Sequence, residues 1–126
     1  MPKTIPETPS APTPLAPYSV AAEANGFVFL SGQVALDPSS GEREPDDVGD
    51  QAHRVMKNIG LVLGDLGLSY PDIVKTTIFL ADIADFPKVN EVYAGYFQDA
   101  PPARSTVQAG ALPGGFLVEI EVVAAR

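Results

Sequence analysis

Over the first 17 positions the chain shows no apolar periodicity, and six of its 13 prolines fall there. Each proline removes a backbone donor and fixes φ, so this arm is predicted to run extended over the surface, as neither helix nor central strand. It ends at "APYSVA". Beyond it, "SVAAE" and "FVFLSGQVAL" are rich in alternating and β-branched residues and flank Asn25-Gly26, a turn dipeptide, which predicts a β-hairpin. The polar stretch "DPSSGEREPDD" reads as a loop, with Asp46 or Asp47 placed to cap the next segment. There Val48, Ala52, Val55, Met56, Ile59, Val62, Leu63 and Leu66 recur three and four apart, the spacing of a helix with one buried face. Gly67 supplies its stop.

"DIVKTTIFLAD" is short and β-branched between Pro71 and the "DIADFP" turn, so it predicts a third strand. Asp85 with Pro87 announces a second helix, whose apolar positions are Val89, Val92, Tyr93, Tyr96 and Phe97. "QDAPPA" ends it. Two last strands, "RSTVQAG" and "FLVEIEVVAA", are separated by the loop "ALPGG". The order β-β-α-β-α-β-β describes an α+β layer, one domain over residues 1–126 with a Pro-rich arm over 1–17, in which two helices cover one face of a sheet. Because Phe27 and Phe29 are apolar on one side of their strand and Val28 and Leu30 on the other, the second sheet face is also apolar. Burial against further copies of the chain is the expectation.

Composition narrows the function. Sixteen acidic residues against eight Lys and Arg leave a formal charge of −8, which repels phosphate backbones and anionic lipid, so nucleic acid is a disfavoured partner. With no cysteine and one histidine, disulfides, thiolate nucleophiles, zinc clusters and a serine triad with a spare histidine are excluded or nearly so. The longest apolar runs fall well short of the roughly 20 residues of a membrane span, and "MPKTIPETPSAPTP" lacks the apolar stretch of a signal peptide. A cytoplasmic protein with no membrane partner is expected.

Few side chains remain that could do chemistry. In "PARSTVQAG", strand alternation turns Arg104, Thr106 and Gln108 one way and Ser105, Val107 and Ala109 the other. In the last strand Phe116, Val118, Ile120 and Val122 share a face, which leaves Glu119 and Glu121 opposite. One reading is a cross-strand cation–carboxylate pair on a wet face; the other is a pocket in which Arg104 binds an anion and a glutamate handles protons. Pattern leaves both open. His53 reads as a structural histidine and, alone, makes no metal site. "GDLGLSY" lacks phosphate-loop and dinucleotide spacing. Ser31-Gly32-Gln33 reads as a bulge or as backbone brought close to a ligand. Tyr18 either packs or aims its hydroxyl at a site.

Together, "APYSVA", "VFLSGQVAL", "VKTTIFLADIADFPKVNEVYAGYF", "PPARSTVQ" and "LVEIEVVAA" resemble the RidA/YjgF family of enamine/imine deaminases, in family order over residues 14–125. The resemblance implies a chorismate-mutase-like fold and a homotrimer whose sheets form a central barrel, with three sites in the clefts between neighbours. It matches Arg104 to the arginine that grips the substrate carboxylate and Glu119 to the acid that positions water, with Tyr18, Ser31 and Asn90 at further pocket positions. The chain departs from the family at Thr106, where Cys is usual, at Ala16 for Gly and Val20 for Gln, and in a shorter stretch before Pro101. These bear on arm geometry and substrate preference.

The implied reaction is hydrolysis of 2-imino or 2-enamino acids, such as 2-aminoacrylate and 2-iminobutyrate, to 2-keto acids and ammonia. It needs no metal or organic cofactor. Water adds to the C=N carbon, and Glu119, with Thr106 and backbone carbonyls, relays a proton to nitrogen. The alternatives are a pathway-specific deaminase acting on another enamine, of aminomuconate or aminoacrylate type, and a chaperone-like or ribonuclease-type trimer.

Overall fold

Why the chain turns back at Ala24 is visible in two dihedrals. In the computed structural model, which describes residues 2–126, Asn25 and Gly26 take φ of 53° and 81°, the pair of left-handed residues that a two-residue hairpin turn demands. They join β1 (Ala21–Ala24) to β2 (Phe27–Gln33) in antiparallel register. Helix α1 (Val48–Asp65) comes next, capped by the Asp47 carboxylate, which accepts from the Asp50 N–H at 2.9 Å. Gly67, at φ 73°, carries the chain out of it. β3 (Ile73–Leu80), α2 (Phe86–Ala94), β4 (Ala103–Gln108) and β5 (Val118–Ala125) complete the predicted order.

The sheet runs β1-β2-β5-β3-β4. All pairs are antiparallel except β3 with β4, which α2 joins as a parallel crossover. The β5 residues Val118, Ile120 and Val122 lie at 0–2% exposure, as do Ile78 and Leu80 of β3 and Val55, Met56, Ile59, Val62 and Leu63 of α1. Full burial of each such aliphatic side chain is worth about 1.5–3 kcal/mol, so this layer is the main source of stability.

Two predicted boundaries shift. β2 stops at Gln33, its last residue paired with β5, instead of continuing through Leu36, and its register with β5 slips between Leu30 and Gln33. The Ser31-Gly32 step is thus the bulge. α2 ends at Ala94, so Tyr96 and Phe97 lie in the turn beyond it, held by aromatic packing of Phe97 on Tyr93 (4.7 Å) and Tyr96 on Tyr70 (5.3 Å). The arm touches the fold at both ends. Thr4 bridges Glu23 of β1, and Ser10 donates its N–H and hydroxyl to the Asp65 carboxylate at 2.8 and 2.7 Å.

The helices cover one face only. On the other, Phe27, Phe29 and Val107 are 44–49% exposed. No helix among the described residues is long and apolar enough to cross a membrane.

Asn58 ties α1 to the loop after β2, its amide donating to the Val34 and Leu36 carbonyls at 3.1 and 2.7 Å. Asn58→Leu removes that donor and leaves two carbonyls of a buried seam unpaired. Chemical denaturation is expected to show a loss of about 1–3 kcal/mol; an unchanged midpoint would mean that water replaces the amide.

Candidate functional site

Arg104 stands on β4 opposite Thr76 of β3, and Thr76 in turn stands opposite Val122 of β5. Side chains at paired positions share a sheet face, so Arg104 belongs to the helix-covered face with Val122. There α2 meets it. Nη1 of Arg104 donates to Asn90 Oδ1 at 2.8 Å, and the guanidinium carbon lies 5.3 Å from the Phe86 ring centroid and 5.1 Å from that of Tyr93. Phe86, Asn90 and Tyr93 fall at i, i+4 and i+7, one stripe of the helix. Among the described residues Arg104 makes no ion pair, and its Nε and Nη2 have no hydrogen-bond partner. That disposes of the cross-strand cation–carboxylate reading. A half-buried, always-protonated fork with a free edge is an anion-binding device.

Glu119 pairs with Phe79 and therefore occupies the open face. Its carboxylate lies against the bulge of β2: a Cβ on Gly32 would collide with Oε2 and sit 2.8 Å from Cδ. Any side chain at position 32 would require the carboxylate to move. Burial, and secondarily the negative charge of Glu121, raise the Glu119 pKa above the ordinary glutamate value. Both effects favour a carboxyl that gives and takes protons nearer neutrality.

Ser31 and Tyr18 lie at the same bulge, Ser31 within it and Tyr18 lining one groove with Gly32. The Ser31 hydroxyl donates to the Ser19 carbonyl at 2.6 Å, which fixes the end of the arm to the bulge. Tyr18 is 57% exposed and, with Gly32, lines a mainly apolar groove of about 380 Å³ bounded by arm residues Ala11, Pro14 and Leu15 and by Asn58 and Val62 of α1.

The six predicted residues therefore form two half-sites. Arg104, Asn90 and Thr106 are at the β4 edge; Glu119, Ser31 and Tyr18 surround the β2 bulge. Glu119 aligns through Phe79 with Val107, which puts it two strands, about 10 Å, across the sheet from β4 and three residues, about another 10 Å, along it from Arg104. The opposite faces separate them further. Thr106 shares the Arg104 face, but its Oγ1 is shielded from solvent and lacks a hydrogen-bond partner among the described residues. His53 is exposed, 3.1 Å from the Tyr96 hydroxyl, and belongs to neither half. Sequence reasoning missed Phe86 and Tyr93. An amide set between two aromatics on one helical stripe was the available signal.

The model of the endoribonuclease L-PSP family matches residues 8–126. A chloroplastic Arabidopsis thaliana protein named Reactive Intermediate Deaminase A is 49% identical over 97% of this chain, which spans 65% of that protein's length. A Mus musculus protein named 2-iminobutanoate/2-iminopropanoate deaminase is 45% identical over 94% of this chain and 88% of its own. The solved structure of E. coli TdcF with bound serine superposes with a TM-score of 0.90 at 40% identity over 98% of both chains.

The raised pKa of Glu119 carries a stability consequence. A carboxyl whose folded pKa lies above its unfolded value penalises folding when ionised, so the penalty is full above the folded pKa and disappears as pH falls below the unfolded one, about 4.3. Glu119→Gln is expected to melt at or above the wild-type temperature at pH 7, with the gap closing towards pH 4. A variant less stable than wild type at neutral pH would show that the ionised carboxylate is a structural partner.

Proposed function

Because the chain belongs to the RidA/YjgF family, to which the endoribonuclease L-PSP model corresponds, we propose that it hydrolyses 2-imino and 2-enamino acids to 2-keto acids and ammonia. The observation that carries this reading is the Arg104 fork, half-buried, held by Asn90 and without an anionic partner among the described residues. The names of the mouse and Arabidopsis relatives support the reaction class. The bound serine of E. coli TdcF supports a ligand bearing a carboxylate.

Arg104 takes the substrate carboxylate and so fixes the adjacent C=N carbon. Glu119 accepts a proton from water as the water oxygen bonds to that carbon, and hands the same proton to nitrogen, which takes up the C=N electrons, so the carboxylate is regenerated. The resulting carbinolamine passes its hydroxyl proton to Glu119, which returns it to nitrogen. The C–N bond then breaks, C=O forms and ammonia leaves. Each step needs both residues on one substrate, which a single chain cannot arrange across two sheet faces. The site is therefore completed between copies, the β4 edge of one meeting the β2 bulge of the next. Such a contact is head-to-tail and closes as a ring, and a trimer is the ring we propose. The open apolar face around Phe27, Phe29 and Val107 is then buried inside it. A ribonuclease reading meets a net charge of −8, which opposes binding of an RNA backbone.

The test is a dehydratase that generates 2-aminoacrylate or 2-iminobutyrate in the presence of a chemical trap. Arg104→Ala is expected to lose about 30-fold to several thousand-fold in kcat/KM with assembly intact. Glu119→Gln should lose roughly 100-fold or more and Glu121→Gln little; the reverse ranking would assign the proton carrier to Glu121.

A mixing experiment tests the shared site. When Arg104→Ala and Glu119→Gln chains are co-refolded in equal amounts, about one interface in four unites both native residues, so about a quarter of wild-type activity should return. A mixture as inactive as its parents would mean that both residues act within one chain. A stable monomer by light scattering would sink the shared site outright.

A further inference from the structure

Arg104 is oriented by more than its hydrogen bond. The Phe86–Asn90–Tyr93 stripe presents two ring faces and one amide oxygen to a single guanidinium. The stripe is itself tied down, because the Tyr93 hydroxyl shares a 2.8 Å hydrogen bond with Thr76 Oγ1, and Thr76 is 1% exposed. Thr76 is the register partner of Arg104 on β3. The contacts thus close a loop: Arg104 to Tyr93, Tyr93 to Thr76, and Thr76 back across the strand pair to Arg104. Burial raises the pKa of Tyr93 against the opposing effects of Thr76 and Arg104, so the ring facing the cation is a neutral phenol.

We propose that Tyr93 and Thr76 are positioning residues for the reaction. Through the ring of Tyr93, and with Phe86 beside it, they hold the guanidinium plane so that the Nε and Nη2 edge faces the substrate carboxylate. This rests on the reading of Arg104 as the carboxylate anchor. An arginine side chain has several rotatable bonds, and a fork that points elsewhere for part of the time binds a planar anion correspondingly less well. Asn90 engages Nη1 and leaves the Nε and Nη2 pair as the edge without a hydrogen-bond partner among the described residues. Aromatic faces favour the cation while donating nothing to the carboxylate, so they orient the fork without competing for its ligand.

The experiment uses the full-length protein, with 2-iminobutyrate hydrolysis followed kinetically and binding of the product 2-oxobutanoate followed by calorimetry. Tyr93→Phe keeps the ring and deletes the bond to Thr76; Thr76→Val deletes the same bond from the other side; Thr76→Ser retains it. The first two are each expected to raise KM and the 2-oxobutanoate Kd about 3- to 10-fold, with kcat changed less than KM, and Thr76→Ser to behave as wild type. In an Arg104→Lys background, which has no planar fork to orient, Tyr93→Phe is expected to add nothing. Unchanged KM and Kd in Tyr93→Phe and Thr76→Val would overturn the proposal. So would equal effects with Arg or Lys at position 104, or a loss that Thr76→Ser shares, since these belong to general packing. Full activity and binding in Arg104→Ala would remove the anchor itself, and with it any residue that positions it, so failure of the deaminase reading is seen first and separately.

Discussion

The pairing of β3 with both of its neighbours governs everything else in this molecule. Thr76 stands opposite Arg104 on one side and Val122 on the other, and Phe79 stands opposite Glu119. Alternation along a strand is strict, so this register alone sends the arginine to the helix-covered face and the glutamate to the open one. A slip of one residue would reverse both and expose the Val118, Ile120 and Val122 row that packs on α1. Burial of that row therefore holds the two charged groups apart. Under the proposed function a chemistry that needs them together is a property of more than one chain, and burial of the apolar open face would drive that association.

The two half-sites are tuned by different means. The cation keeps its charge whatever its surroundings, so α2 can enclose it between Phe86 and Tyr93 without neutralising it. The carboxylate responds to its surroundings, and placement against the Gly32 backbone beside Glu121 raises its pKa. The global charge of −8 opposes the approach of an anionic substrate. That repulsion acts through solvent and is screened over about 8–10 Å, whereas the Arg104 fork acts at contact.

Much of this was legible in the residues. Helical spacing from Val48 to Leu66, the Asn25-Gly26 turn and the β-branched run from Ile73 to Leu80 each arise from local physics, and the structure places elements there. Alternation also separated Glu119 from the Val118 and Val122 row. What could not be read was the relation between strands distant in sequence. Nothing in "PARSTVQAG" or "LVEIEVVAA" states how they pair with "DIVKTTIFLAD", so the opposite faces of Arg104 and Glu119 became visible only with the register. The end of β2 was missed for a similar reason. "SGQVAL" alternates well enough to continue, and where its pairing ends is set by its partner β5. Tyr93 looked like a core residue because packing and cation-facing aromatics obey the same helical spacing, and Phe86 was read as part of the "DIADFP" turn although it is the first residue of α2.

Thr106 shows how little of the proposed chemistry depends on a reactive side chain at that position. The residue is half-exposed, yet its Oγ1 is shielded from solvent, so what it presents outward is not its hydroxyl. With its Oγ1 shielded in this way, Thr106 does not offer its hydroxyl to the solvent-facing side of the strand. In the proposed reaction the burden of proton transfer then falls on Glu119 and water. An uncommitted buried hydroxyl costs about 1–3 kcal/mol, a penalty the fold can carry because its main core lies elsewhere, between α1 and the centre of the sheet.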